Sequence, residues 1–393
     1  MADVINNNDI RANNARKILF ALRNGEPTTK KELAEKLELS LPTITNISKV
    51  LEADGYIEEC GSVESAVGRK PALITLSRKS RYAVGVHVQT HIVSAAIVDF
   101  SGEVLLQESK NILYKGTPDY WTALSEYVDS LIESLDLEKA RIAGIKVAIP
   151  AIFFPMAWKA VGIRDDPEGI VGVREIGAYF AYPAQVIPIA EAAGTTRIWY
   201  GAVENNTIVI ELARFIDGCY IYRESLTGIR RVRTFDIGHI SINKDGKRCF
   251  CGKNGCLQAY CSTSGLIDRV NGIDTTMEIV SKSRGILHWN EFIRQMEAGN
   301  QEYRALFDEY IDALAYFINN IRIAFGADIV ICGDITHIIE KYKPELVRRI
   351  QALSPSWKQP EDVDAYLHTS SFAGYQASVG AALSVFDDLI EKI

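Results

Sequence analysis

No run of eighteen apolar residues occurs anywhere in this 393-residue chain, and its first stretch, MADVINNNDIRANN, is polar. The expectation is a chain with neither a membrane span nor a signal peptide. Cysteines are few and odd in number, seven in all, which argues against a disulfide framework and for a reducing cytoplasm. A large positive excess is missing too: 43 Lys and Arg against 50 Asp and Glu leave a net charge of −7. That balance argues at first against a nucleic-acid binder. Its distribution softens the argument, because residues 1–81 hold thirteen Lys/Arg and eleven Asp/Glu, a head of +2 on a body of −9. Such a chain would touch nucleic acid through its head only. The length allows two or three domains with sizeable cores.

Where cysteines do gather, they gather tightly. Cys249, Cys251 and Cys256 fall within eight residues, and His239 stands ten residues upstream of the first. Three thiolates and one imidazole are the ligand set of a closed, tetrahedral zinc site. Gly252 and Gly255 would permit the tight turn that lets Cys-x-Cys-x4-Cys converge on one ion. The bland alternative is chance clustering in a reduced core. Cys60, Cys219, Cys261 and Cys332 sit in apolar or turn surroundings and read as packing residues.

The first eighty residues follow a different logic. Asn13–Arg23 places Ile18, Leu19 and Leu22 at helical spacing, and Gly25-Glu26-Pro27 ends it. Thr29 to Glu32 reads as a capping box for a second helix running to Leu37. After the turn Glu38-Leu39-Ser40, Ser40 caps a third helix to about Ala53, with Ile44, Ile47, Val50 and Leu51 inward. Helix, three-residue turn, helix is the geometry of a helix-turn-helix, whose second helix enters the major groove. Its outward set would be Thr43, Thr45, Asn46 and Lys49: Asn pairs with adenine, and Thr can meet a thymine methyl. Strands at Ile57–Cys60 and Ala72–Leu76 would flank a wing whose tip, Gly68-Arg69-Lys70-Pro71, suits a narrow minor groove. The competing interpretation is a helical module packing on protein, with a solvated hairpin tip.

Gly238-His239 followed by Cys-x-Cys-Gly-x-x-Gly-Cys-Leu resembles the zinc signature of the ROK family, which contains sugar kinases and sugar-responsive repressors. From about Tyr82 to the C-terminus the order of elements is similar to that family's. Apolar runs YAVGVHVQ, HIVSAAIVDF and GEVLLQESKNI suggest three antiparallel strands, one turn falling at Ser101-Gly102. A helix (about Asp119–Leu135) and a buried strand (Ile142–Ile149) follow, and later a helical stripe from Leu306 and Phe307 to Ile321. The helix-turn-helix with its basic wing resembles the head of the family's repressors, which its kinases lack. The resemblance implies an α+β winged helix-turn-helix over residues 1–80, then a two-lobed α/β body of the actin-like (ASKHA, ribonuclease H-like) class. Lobe 1 would cover 81–200 with the C-terminal helix 373–393 packed back on it, and lobe 2, with the zinc site, 201–372.

The kinase chemistry of that family is largely missing from the corresponding positions. The phosphate turn D-x-G-G-T-K is replaced by His87-Val88-Gln89-Thr90-His91-Ile92, and the catalytic Asn-Asp pair by Pro188-Ile189. Neither Pro nor Ile can accept a proton; Glu191, two residues on, reads as a helix-start acid rather than a displaced base. The glycine-rich second phosphate loop has become Ala213-Arg214-Phe215-Ile216-Asp217-Gly218, and the Gly-Gly near adenine Gly333-Asp334. The resemblance therefore implies no ATP binding and no catalysis. The sugar site is half kept: Asp236 stands for the family's Glu, His239 is retained, and Gln258 replaces another Glu. Arg164, Asp165 and Asp166, in an unusual first-lobe loop, are a polar alternative.

Together with the resemblance, these residues imply a cytoplasmic DNA-binding regulator, a repressor of carbohydrate-related genes. Its partners would be a double-stranded operator and a small polar effector, a sugar or sugar derivative at Asp236, His239 and Gln258. Zn2+ would be structural, held by His239, Cys249, Cys251 and Cys256, and the assembly a homodimer or dimer of dimers. The rival interpretations are a sugar kinase fused to a DNA-binding head, and a repressor controlled by a protein partner.

Overall fold

The computed structural model describes residues 7–23, 26–62, 71–89, 91–150, 171–201, 203, 206–224, 228–270, 289–333, 335–353, 361–370 and 376–393. The head begins with α1 (Asn7–Leu22), six residues before the apolar period starts at Asn13. Those extra turns are Asn-rich and carry only the exposed Ile10, so no periodic signal announces them. A short strand β1 (Thr28–Thr29) leads into α2 (Lys30–Leu37). The capping box is formed: Glu32 donates its amide to the Thr29 hydroxyl, and the Thr29 amide bonds the Glu32 carboxylate at 2.8 Å. After α3 (Leu41–Ala53) come β2 (Ile57–Ser62) and β3 (Ala72–Leu76), which pair antiparallel; β1 joins β3 on its other edge. Val50, expected inward, is 40% exposed. Ile44, Ile47 and Leu51 already fill the face of α3 toward α1 and α2, and Val50 lies beside that stripe rather than in it.

The body holds two five-stranded sheets. The first contains β4 (Tyr82–Val88), β5 (Ile92–Asp99), β6 (Val104–Asn111), β7 (Ile142–Ile149) and β8 (Ala184–Pro188) in the order β6-β5-β4-β7-β8. β4 to β6 are antiparallel, and β7 and β8 are added in parallel. The Ser101-Gly102 turn forms as its residues suggest, with the Asp99 carboxylate accepting the amides of Ser101 and Glu103 at 2.9 and 3.0 Å. Helix α4 (Pro118–Ser134) covers one face through Trp121, Leu124, Val128 and Leu131. Helix α5 (Ile189–Trp199) then leaves this sheet toward the second.

The second sheet contains β9 (Thr207–Leu212), β10 (Ile216–Arg223), β11 (Arg230–Thr234), β12 (Asp328–Cys332) and β13 (Leu367–Thr369) in the order β11-β10-β9-β12-β13. Helices α6 (Leu257–Cys261), α7 (Thr263–Val270), α8 (Trp289–Glu297), α9 (Gln301–Phe325) and α10 (Thr336–Ala352) build its outer layer. The stripe on α9 is buried from Phe307 through Ile321, with Leu306 at its half-buried edge. Among the described residues no helix is long and apolar enough to cross a membrane.

The last helix, α11 (Gln376–Glu391), lies against the first sheet and α5. Its small residues are required for that approach: a Cβ on Gly380 would stand 1.8 Å from the carbonyl oxygen of Ala192. The head is not a separate bead. Ile18, Leu19 and Leu22 of α1 belong to one buried cluster with Phe100, Trp199, Ile229, Leu383 and Phe386 of the body. Each such side chain contributes about 1.5–3 kcal/mol on burial.

Candidate nucleic-acid interface, metal centre and cleft

In the head, the α2–α3 turn is a left-handed Glu38 (φ 54°) followed by Leu39, whose amide bonds the carbonyl of Ala34 at 3.0 Å, and by the cap Ser40. Burial of Ile44, Ile47 and Leu51 turns Asn46 and Lys49 to solvent. Thr43 and Thr45 are half-buried, and both hydroxyls are already engaged. Thr43 Oγ1 lies 2.8 Å from the Ser40 hydroxyl, and Thr45 Oγ1 donates to the carbonyl of Leu41 at 2.8 Å. Their methyl groups and the remaining hydroxyl lone pairs are what they offer a base. Leu41, 47% exposed at the start of α3, adds an apolar side chain to this outward face that sequence reasoning missed, because its spacing from Ile44 reads as a core position. Arg69 and Lys70, at the wing tip, lie outside the described residues.

In the second lobe, a 3-10 turn (Ile237–His239) and the loop up to Cys256 bring the four ligand candidates together. One ligand atom from each of His239, Cys249, Cys251 and Cys256 lies within 4.8 Å of all the others. Cys251 Sγ and Cys256 Sγ are 3.6 Å apart, and Cys249 Sγ is 3.6 Å from His239 Nδ1. The edges of a tetrahedral zinc site with bonds of about 2.3 Å to sulfur and 2.0–2.1 Å to nitrogen are roughly 3.6–3.8 Å. The donor set fits. Gly255 makes the loop possible: it has φ +73°, and a Cβ there would stand 1.6 Å from the carbonyl oxygen of Asn243. The hydrogen bond between Cys249 and Cys256 lowers the pKa of Cys256 and raises that of Cys249. An ion beside them would relieve that crowding of negative charge. The peptide carbonyl of His239 accepts from Lys253 Nζ at 2.8 Å, and its ring stands edge-on to Phe250.

In the first lobe, the β4–β5 turn carries no glycine and closes with the Gln89 amide on the carbonyl of Ile92 at 2.9 Å. His87 on β4 is buried, and neither ring nitrogen has a hydrogen-bond partner among the described residues; burial lowers its pKa to about 4. Ile189 opens α5 as a buried hydrocarbon, with Pro188 as an N-cap that offers no side-chain bond. Glu191 is raised by burial, against the pull of Lys146. That lysine is itself buried and paired with Asp388 at 2.8 Å. Asp217, at the start of β10, accepts the amide of Gly218 at 2.9 Å. Burial raises its carboxyl to about 6, against the amides of Gly218 and Ala190.

The three effector candidates part company. Asp236 is exposed at the start of the 3-10 turn, His239 is half-buried and directs Nδ1 at the thiols, and Gln258 is 3% exposed. The Gln258 amide holds the turn before β10: Oε1 accepts from the Ile216 amide at 2.7 Å, and Nε2 donates to the carbonyl of Arg214 at 3.3 Å. Arg164, Asp165 and Asp166 lie outside the described residues.

Residues 218–387 match the model of the ROK family, and residues 11–58 that of a winged helix-turn-helix DNA-binding domain. The xylose repressor of Bacillus subtilis (strain 168) is 21% identical over 278 residues, 67% of this chain and 70% of its own. The DNA-binding transcriptional dual regulator NagC of Escherichia coli (strain K12) is 23% identical over 253 residues, 62% of this chain and 61% of its own. Among solved structures, a ROK family transcriptional regulator described as a homolog of the E. coli MLC protein superposes with a TM-score of 0.68 at 18% identity, covering 97% of both chains. A ROK hexokinase from Thermus thermophilus reaches 0.58 at 18% identity, and 78% of this chain suffices to cover 99% of it.

Proposed function

We propose that this chain, whose residues 218–387 match the ROK family and whose residues 11–58 match a winged helix-turn-helix DNA-binding domain, is a DNA-binding transcriptional regulator, a repressor of carbohydrate-related genes. The observation that carries this is the head itself: α3 stands on a folded core with Asn46 and Lys49 turned to solvent. That is the arrangement a recognition helix needs in the major groove. The solved ROK family transcriptional regulator named above is similar over 97% of the chain, head and body alike. A helix-turn-helix of this kind reads two-fold-related half-sites, so the working unit is a homodimer or a dimer of dimers, acting in the cytoplasm.

The body acts as a sensor and not as a kinase. Ile189 offers no base at the start of α5, and the backbone amide of Ile216 is taken by Gln258 instead of facing a phosphate. His239, Cys249, Cys251 and Cys256 would hold a structural zinc ion; bound there, the ion cross-links the loop that carries Asp236 and His239. A sugar or sugar derivative is the effector, meeting Asp236 and the outer face of His239, and Gln258 drops out of the expected set. Binding between the lobes shifts the balance of head placements by as much as the effector's affinity differs between them.

The test is selection of duplexes from a random pool by the purified protein, followed by titration with D-xylose and N-acetylglucosamine and an ATP phosphoryl-transfer assay. A two-fold sequence preference, altered by one of these sugars, and no transfer are expected. Equal binding to every duplex, or sugar-dependent consumption of ATP, overturns the proposal.

A further inference from the structure

The seat of the head on the body is built around one side chain. Arg23 follows the last turn of α1, and its side chain is 5% exposed. One end of its guanidinium, Nη1, donates to Asp387 Oδ1 at 3.0 Å; the other, Nη2, donates to the carbonyl oxygen of Arg230 at 3.3 Å. Asp387 belongs to α11, which lies on the first sheet; Arg230 opens β11, the edge strand of the second. A single planar group of the head is thus bonded to both lobes at once.

Neighbouring contacts repeat the pattern. Phe20 of α1 lies under the Arg23 guanidinium at 4.6 Å and within 5.6 Å of that of Arg231 on β11. Arg231 in turn pairs with Glu391 of α11 and with Glu224 at 3.6 Å. Asp387 Oδ1 also accepts Trp199 Nε1 at 3.0 Å. Trp199 ends α5, the helix that opens with the buried Ile189 and carries Glu191 in its first turn.

We infer that Arg23 is the positioning residue through which the relative placement of the two lobes sets the placement of the DNA-reading head. The physical reason is the rigidity of the fork. Its nitrogens are fixed in one plane, so a rotation of β11 relative to α11 cannot preserve both bonds, and α1 must follow or let go of one lobe. Lysine, a single ammonium on a flexible stem, would tolerate that rotation without transmitting it. This inference rests on the regulator proposed above only for its consequence at DNA. The junction itself is independent of that reading.

The experiment uses the full-length protein and two readouts. Hydrogen–deuterium exchange is followed in α1 and, as a control, in the loop 239–256. Half-site spacing preference is measured on the best duplex selected by the wild type, with one or two base pairs inserted between its halves. Arg23→Lys and Asp387→Asn are expected to keep their metal content and the exchange of the control loop. In α1, exchange should rise tenfold or more, and the penalty for altered spacing should fall by at least tenfold. A role limited to stability would speed exchange everywhere and leave the spacing preference intact. Arg23→Ala serves as the null variant; should it not fold, the two conservative changes carry the test. Unchanged exchange in α1 overturns the inference. Raised exchange with an unchanged spacing preference also overturns it, leaving Arg23 as a packing residue. If the wild type selects no duplex, the regulator reading fails, while exchange in α1 still decides whether the junction holds the head.

Discussion

Gln258 holds the turn before β10 by accepting the amide of Ile216 at 2.7 Å while donating to the carbonyl of Arg214 at 3.3 Å. A glutamine can do both, having an acceptor and a donor on one group; a glutamate cannot. Gln258→Glu is therefore expected to destabilise the second lobe by roughly 1–3 kcal/mol, the cost of a buried group left without its partner. Denaturant unfolding of the two proteins checks this, and equal midpoints would return Gln258 to the list of ligand contacts.

The four-ligand cluster predicts one zinc ion per chain. Cys251→Ala should lose the metal and lower the melting temperature, and a strong chelator should do the same to the wild type. Elemental analysis of the purified protein is the measurement. A metal-free wild type as stable as the chelator-treated sample would refute the structural role.

In the head, the hydroxyl of Thr45 is bonded to Leu41 and the amide of Asn46 is exposed. Asn46→Ala should cost about 1–3 kcal/mol on the selected duplex and little on random DNA. Thr45→Ser, which keeps the hydroxyl and removes only the methyl, should weaken binding where a thymine is read and leave helix stability nearly unchanged. Lys49→Ala should weaken binding to all duplexes alike and flatten its salt dependence. Titrations by fluorescence anisotropy at several salt concentrations separate the three. A uniform loss for Asn46→Ala would make that residue a backbone contact.

Asp217 makes stability depend on pH in a direction opposite to that of most carboxylates. Its pKa is raised by burial to about 6, above the value of about 3.9 expected in the unfolded chain. The folded state therefore binds the proton more tightly. The stabilisation is complete below the unfolded value and is lost as pH rises through about 6. Asp217→Asn removes this dependence, so the mutant should gain stability relative to wild type between pH 4.5 and 7.5. Parallel denaturation curves at the two pH values check the sign, and a constant difference would contradict it.

Asp236 is the remaining acid of the expected sugar set that is open to solvent. Calorimetry with D-xylose and N-acetylglucosamine should show binding of one of them to the wild type. Asp236→Ala should then weaken it ten- to a hundredfold, about 1.5–3 kcal/mol, with zinc and DNA binding retained. Wild-type affinity in the mutant would move the effector site elsewhere.

Local chemistry wrote the helices, caps and Cys/His cluster of this protein into its sequence. Thr29 and Glu32 form their capping box, Ser40 caps α3, and His239 and three cysteines converge, because each depends on residues near in sequence and on turns that glycine permits. The absence of a base at Ile189 was legible for the same reason, since a hydrocarbon cannot take a proton in any fold. What side chains do across long separations was not legible. That Gln258 bonds residues 214 and 216 could not be read from the chain, and Val50 looked buried until three neighbours filled the core. Nothing near Arg23 in the chain announces Asp387 or Arg230, which lie 364 and 207 residues away. Only the packing of α1 between α11 and β11 brings them within reach of one guanidinium, and burial of Ile18, Leu19 and Leu22 in one cluster with Trp199 and Phe386 favours that seat.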